Sequence, residues 1–259
     1  MKKIFIIIFL VFLVIIGYSY FFPNLDTLPS SPLPASSPQP NITHLMTKIF
    51  YQNQTYYYDY FPVNDLAKLT LHPNYQQQLD TQALIKKHQC QNLINAGFYG
   101  QSNQPLGLFI ANSKLISKQI KSSLFNGFLI MTGSDPVIPQ ISATFTSFNP
   151  RIALQSGPLL YLDSQPLLLS IKSDEPRRRS IAFINQDDQL FFLIITGQDS
   201  SFSGPLLSNT PQVLKTISQN INQPIKSAIN LDGGSASSFY TSDLHLKEFS
   251  FIGSFFCLN

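Results

Sequence analysis

The sequence is short of glutamate and arginine. Only Glu175 and Glu248 are glutamates, against twelve aspartates, and the arginines are Arg151 and the run Arg177, Arg178, Arg179. Charged residues make up 12% of the 259-residue chain, about half of the roughly 25% usual in globular proteins. Tryptophan is absent and there are two cysteines, Cys90 and Cys257. These shortages exclude several classes. The net charge is only +3, and Lys2 and Lys3 supply two of those charges, so no electrostatic footprint for nucleic acid exists. Neither cysteine has CxxC spacing, and His44, His72, His88 and His245 show no ligand spacing. No metal site is expected, and nothing calls for a cofactor. No GxSxG elbow or Ser-His-Asp order is visible. The cysteines are expected as buried free thiols. The alternative is a bridge, which over so long a loop stabilises by about 4–5 kcal/mol in the chain-entropy model.

What is abundant is apolar and polar-uncharged. The hydrophobic fraction of 44% excludes a disordered chain. After Met1-Lys2-Lys3 an apolar run extends from Ile4 to Phe22, just long enough to cross a bilayer, which needs about 20 residues. The two lysines predict a cytoplasmic N-terminus and a domain on the far side of the membrane, periplasmic or extracellular. A retained anchor is expected, with a cleaved signal and a secreted domain as the alternative. Residues 23–40 hold six of the 18 prolines and several serines, and are expected to form an extended tether. The expected organisation is therefore 1–22 anchor or signal, 23–40 tether and 41–259 one domain. Asn41-Ile42-Thr43 and Asn53-Gln54-Thr55 fit glycosylation acceptors.

Within the domain, strand signals outnumber helix signals. Ile49–Phe61, Leu66–Leu71, Leu93–Ile94, Phe128–Met131 and Ala228–Leu231 read as strands. Hairpins are expected around Asn112-Ser113 and around Gln186-Asp187-Asp188, with a turn at Gly157-Pro158. Tyr75–His88 and Ser208–Asn220 carry helical spacing. The expected class is α/β of the mixed, α+β kind: one domain with a mixed, largely antiparallel sheet and a few flanking helices.

Three local patterns carry chemistry. In Asn230-Leu231-Asp232-Gly233-Gly234-Ser235-Ala236-Ser237-Ser238 an apolar strand ends in a carboxylate, two glycines and three hydroxyls. Glycine pairs let backbone approach a ligand, and successive N–H groups can form an anion cradle. A plain strand–turn–strand fits the same residues. In Asn95-Ala96-Gly97-Phe98-Tyr99 the asparagine amide is suited to sugar hydroxyls or phosphate oxygens, or to stabilising its own turn. In Glu175-Pro176-Arg177-Arg178-Arg179-Ser180, Arg179 abuts a strand where its fork is able to clamp phosphate. Arg177 and Arg178 are expected to be solvated.

The order of these elements, Asn-x-Gly-Phe-Tyr, Gly157-Pro158-Leu159-Leu160, Arg179-Ser180 and Asn230–Ser238, resembles the phosphodiester glycosidase family, over roughly Lys48–Tyr240. Ala96, Ser180 and Ser235 depart mildly from its usual residues. The resemblance implies hydrolysis of a sugar-1-phosphodiester on the glycosidic side, in a cell-surface glycan or glycolipid; bacterial members are linked to exopolysaccharide. It implies catalytic roles for Asp232 and Arg179, and substrate contacts from Asn95, Gly97, Gly157, Ser180, Asn230, Gly233, Gly234, Ser235 and Ser237. Glycoside cleavage generally recruits a second carboxylate, for which Asp199 and Glu175 are candidates. A non-catalytic module binding a glycan or wall polymer, and a serine hydrolase built on Ser235, Ser237 or Ser238, are the alternatives.

Overall fold

Two apolar runs organise the domain. Arg179–Asn185 and Leu190–Gly197 are buried at every position, so both faces of the sheet that they form are covered. In the computed structural model, which describes residues 45–132, 139–146 and 149–259, these runs are the centre of the largest sheet. The apolar segment, the tether and the Asn41 triplet lie outside the described residues.

The first strands are β1 (Thr47–Tyr51), β2 (Gln54–Pro62), β3 (Leu69–Pro73), β4 (Asn92–Asn95), β5 (Phe109–Ala111) and β6 (Lys114–Ser117). There follow β7 (Gly127–Met131), β8 (Pro139–Ser142), β9 (Ile152–Ser156), β10 (Leu159–Leu162), β11 (Gln165–Pro166), β12 (Arg179–Asn185) and β13 (Leu190–Gly197). The last are β14 (Ile225–Asn230), β15 (Phe239–Tyr240), β16 (His245–Leu246) and β17 (Ser254–Leu258). Helix α1 is Thr81–His88 and helix α2 is Thr210–Asn220. The sheets run β1-β2-β13-β12-β14-β10-β11, β16-β15-β4-β17-β3 and β6-β5-β9-β7-β8. Every strand pairing among the described residues is antiparallel. The expected single mixed, largely antiparallel sheet is thus three antiparallel ones, in which hairpins such as β12–β13 stand beside pairings of strands distant in sequence, such as β2 with β13.

The alternation of β12 and β13 sorts the core. Ala182, Ile184, Phe192 and Ile194 face a cluster shared with the other two sheets, through Leu71, Ile94, Phe256, Phe109, Leu129 and Leu154. Ile181, Phe183, Leu193 and Ile195 face the other way, where Val213, Leu214 and Ile217 of α2 cover them. The expected strand Ile49–Phe61 is a hairpin, broken where Gln52 and Asn53 adopt left-handed φ of 46° and 61°. The first helix begins later than its spacing suggests, because the Asp80 carboxylate accepts from the Ala83 amide and fixes the start. Over Leu66–Lys68 the chain makes a 3-10 turn before β3.

One expectation is reversed. Cys90 and Cys257 form a disulfide with Cα atoms 5.3 Å apart, across 167 residues of sequence. The pairing of β17 with β4 sets Cys257 opposite Leu93 and so brings the two together, a contact that spacing alone does not encode.

Candidate functional site

Three strand ends and one turn meet at one place. β14 lies antiparallel to β12, with Ile181 opposite Asn230, so the start of one strand and the end of the other share an edge. The amide of Leu231 donates to the Ser180 carbonyl and that of Asp232 to the Ala96 carbonyl, just past β4. The Asn230 amide donates to Pro158, after the cis Gly157–Pro158 bond of the β9–β10 turn. Around this junction lies a cleft of about 230 Å³ lined by Phe98, Leu124, Gly157, Arg177, Arg179, Leu207, Asn230, Asp232, Gly233, Gly234 and Ser235. Seven residues expected at a site therefore come together: Gly157, Arg179, Asn230, Asp232, Gly233, Gly234 and Ser235.

The other four stand behind it. Asn95 is 1% exposed. Its Nδ2 donates to the Asp232 carbonyl at 2.6 Å, and its Oδ1 accepts from the Ser180 hydroxyl and the Ser238 amide. Asn95 therefore ties β4 to β12 and to the Asp232 loop rather than facing the cleft. The Ser180 hydroxyl is consumed in the same network. Buried Ser237 donates to the Gly234 carbonyl, closing the 3-10 turn Gly234–Ala236. Gly97 is buried as well, and a Cβ there would come within 2.6 Å of Leu154 Cδ1, so a side chain at 97 would have to displace that methyl group.

The arginine run divides three ways. Arg178, expected to be solvated, is 1% exposed. It donates to the carbonyls of Ser201, Ser237 and Lys247 and stacks over Phe202 at 4.4 Å. The reversal has a tertiary cause: the chain around Ser201-Phe202, Ser237 and Lys247 encloses the guanidinium just before β12 begins. Arg179 donates through Nε to Pro205 O and through Nη2 to Glu175 O, with Asp174 at 3.6 Å. Among the described residues Nη1 has no hydrogen-bond partner, and Arg179 lines the cleft. Burial lowers its pKa to about 10, so it stays charged at neutral pH. Arg177 is half exposed and pairs with Glu175, yet it lines the cleft too. Its Cδ lies 3.1 Å from where a Cβ on Gly234 would stand, and Gly234 has a left-handed φ of 64°, a conformation that favours glycine.

The two glycine amides do not form a free anion cradle. Gly233 N–H donates to Asp232 Oδ1 at 2.9 Å, and Gly234 N–H donates to the Arg178 carbonyl. The cleft's anion-binding capacity lies in Arg177 and Arg179 instead. Burial pushes the Asp232 carboxyl up to about 8, and the Gly233 amide offsets only part of the shift. The protonated form of Asp232 is thus favoured at neutral pH. Asn230 is 2% exposed; its Nδ2 donates to the carbonyls of Gly157 and Leu231, and its Oδ1 is buried with no partner among the described residues. An acceptor left open beside a cleft is suited to a ligand hydroxyl.

Neither candidate second carboxylate lines the cleft. Glu175 points to Arg177, and Asp199 lines a larger cavity of about 480 Å³ with Gln52, Asn53, Gln54 and Gln198. No lysine or arginine lines that cavity, so it does not match an anionic substrate. Asp232 is the one carboxylate lining the cleft among the described residues. The serines lack a base: Ser235 meets Ser250 Oγ at 3.1 Å, and Ser238 donates to the Leu246 carbonyl. Missed by sequence reading were Leu124 and Leu207, which carry no local signal, the cleft position of Arg177, and Phe98. Phe98 stood inside a quoted motif, and its ring packs on Phe125 at 4.8 Å.

A phosphodiester glycosidase family model matches residues 88–253. Among solved structures the chain is similar to the catalytic domain of zebrafish N-acetylglucosamine-1-phosphodiester alpha-N-acetylglucosaminidase, auto-inhibited by its pro-peptide. That match has a TM-score of 0.64 and 16% identity, covering 83% of this chain and 81% of the other. A putative exported protein from Burkholderia pseudomallei (TM-score 0.58, 11% identity, 80% and 74% covered) and a hypothetical protein from Synechocystis (0.55, 13%, 82% and 61%) share the fold. No curated protein matches by sequence. The chain belongs to the phosphodiester glycosidase family and is a hydrolase of glycosidic bonds.

Proposed function

We propose, from that membership, that the cleft hydrolyses sugar-1-phosphodiesters between the anomeric carbon and the bridging oxygen, with Asp232 as proton donor and Arg179 and Arg177 as the phosphate clamp. The observation that carries this is that one cleft is lined by a carboxyl, Asp232, and two guanidinium groups, Arg177 and Arg179; burial raises the carboxyl's pKa. An anionic diester enters against Arg179 Nη1 and Arg177. Asp232 gives its proton to the bridging oxygen as the C1–O bond breaks, and the electron pair leaves with the phosphomonoester, whose charge the guanidinium groups stabilise. Water adds to C1, and its proton restores the carboxyl. Asn230 Oδ1 accepts a hydroxyl of the sugar, and Phe98 supplies an apolar wall.

The zebrafish relative's name points to N-acetylglucosamine as the first sugar to try. The domain works outside the cytoplasm, on a cell-surface glycan or glycolipid, held at the membrane by residues 1–22. The Cys90–Cys257 disulfide supports this, because such bridges persist in oxidising compartments. The test is incubation of the purified chain with sugar-1-phosphate alkyl diesters, N-acetylglucosamine included. Free reducing sugar plus alkyl phosphate is expected. Release of intact sugar 1-phosphate would contradict the assigned bond, and binding without turnover would leave a glycan-binding module.

A further inference from the structure

One stretch of surface beside the cleft has a composition that the reaction does not use. From Thr81 to Ser134 the chain contains no aspartate or glutamate, while Lys86, Lys87, Lys114, Lys118 and Lys121 fall within it. Lys114, Lys118 and Lys121 are exposed and make no ion pair among the described residues. Between and beside them stand Leu115, Ile116, Ile120 and Leu124, with 52%, 40%, 39% and 40% of their surface in water. Ile116 lines a cavity with His72, Tyr75 and Lys87; the other three aliphatic side chains, interleaved with three unpaired cations over eleven residues, are costly to leave facing water.

The stretch is held in shape rather than trailing. Strand β6 is the edge of the third sheet, and its Leu115 lies opposite Ile110, a member of the apolar cluster on that sheet's outer face. Beyond β6, buried Gln155 receives the amide of Ile120 and donates to the carbonyls of Ile120 and Phe125. This pins the loop on β9. The far end of the patch, Leu124, lines the catalytic cleft. A second apolar group is tied by its backbone to the cleft lining: Phe249 is 82% exposed and its amide donates to the Ser235 carbonyl, with exposed Lys247 nearby in sequence.

We propose that Lys114–Leu124 is a docking surface for an anionic lipid bilayer, seating the cleft at the level of the lipid headgroups. Charge complementarity selects this partner. Lysines flanking aliphatic side chains suit a surface that is anionic at the headgroup and apolar just beneath, and an acid-free stretch removes the repulsion that such a surface would exert. Docking goes beyond the reaction and stands whatever bond the cleft cleaves. If the domain docks this way, diesters carried on lipid reach Asp232 without leaving the membrane plane.

The test uses the full chain, with an environment-sensitive nitrobenzoxadiazole dye on Ile120→Cys as the only free thiol, since Cys90 and Cys257 are bonded to each other. Emission is read with phosphatidylcholine vesicles and again with about 30 mol % phosphatidylglycerol added. A blue shift on adding the anionic lipid is expected. It should disappear in the Lys114→Gln/Lys118→Gln/Lys121→Gln variant and reverse in about 0.5 M salt, where the screening length falls to a few ångströms. The same dye on Gln219→Cys, on α2 at the far face of the seven-stranded sheet, should not respond. The apolar N-terminal run with Lys2 and Lys3 is present in the triple variant as well, so any anionic preference that it supplies is common to parent and variant and cancels in their comparison. Equal emission at position 120 in both vesicle types, or an equal shift at position 219, overturns the proposal. Turnover of a water-soluble diester by the triple variant should match the parent, which separates this test from that of the reaction.

Discussion

The residues that identify the site fall into two groups that the fold treats differently. Asn95, Ser180, Ser237 and Arg178 form a cradle in which the polar side chains bond to protein. Asp232, Asn230, Arg177 and Arg179 line the cleft, each with a group left over: a raised carboxyl, an open Oδ1, a half-exposed guanidinium and an unbonded Nη1. The two asparagines, Asn95 and Asn230, illustrate the difference. Both are buried at strand ends, yet one has its carbonyl oxygen doubly bonded within the protein and the other has it empty. Satisfied polar groups fix position, and unsatisfied ones are available for chemistry.

Substitutions on the two sides should therefore separate activity from stability. The largest effect is expected at Asp232. Asp232→Asn keeps the shape and the Gly233 bond but loses the proton, so turnover should fall by about 10²–10⁴-fold. Stability should move the other way. A carboxyl whose pKa is raised in the fold stabilises it below the unfolded value near 4, and that contribution is lost as pH rises through about 8. The asparagine variant should accordingly melt no lower than the parent at pH 9. A variant that is both inactive and unstable there would place Asp232 in the cradle instead.

Asn95→Ala should do the reverse. It strips partners from the Ser180 hydroxyl, the Ser238 amide and the Asp232 carbonyl, a loss of about 2–4 kcal/mol in urea unfolding. Activity should fall with it, through misplacement of Asp232. An Asn95→Ala protein of parental stability would dissolve the distinction between the two groups.

How much of this was legible beforehand follows the same line. Strands, hairpins and α2 were visible because alternation and turn residues are local. The disulfide, the three-sheet division and the burial of Arg178 were not, because each depends on strands distant in sequence coming together. Sequence reading picked out loops that meet at one cleft, but it could not tell a residue that faces the cleft from one directly behind it. Asn95 and Asn230 look alike in a string of letters, and only the hydrogen bonds distinguish them.

Arg179→Lys sharpens the comparison within the cleft. Lysine keeps the charge but cannot hold Pro205 and Glu175 while still presenting a donor to the cleft, and about 10–100-fold in kcat/KM should be lost. Arg177→Lys, at a half-exposed position, should cost about threefold or less. Equal losses at both positions would mean that the run acts only as a positive surface. The smallest effect is expected for Ser235→Ala, which removes a hydroxyl bonded to Ser250 at the rim and should change turnover by about twofold at most. Abolished activity there would revive a serine nucleophile.

The central claim is that a protonated Asp232 performs the chemistry, and the pH dependence of kcat/KM tests it most directly. With a substrate that does not itself titrate between pH 6 and 10, the free enzyme should show a plateau below neutrality. The rate should then fall about tenfold per unit above a midpoint near 8, and the residual rate of Asp232→Asn should lack that midpoint. A parental rate that rises through pH 8, or a midpoint that survives in Asp232→Asn, would contradict the assignment.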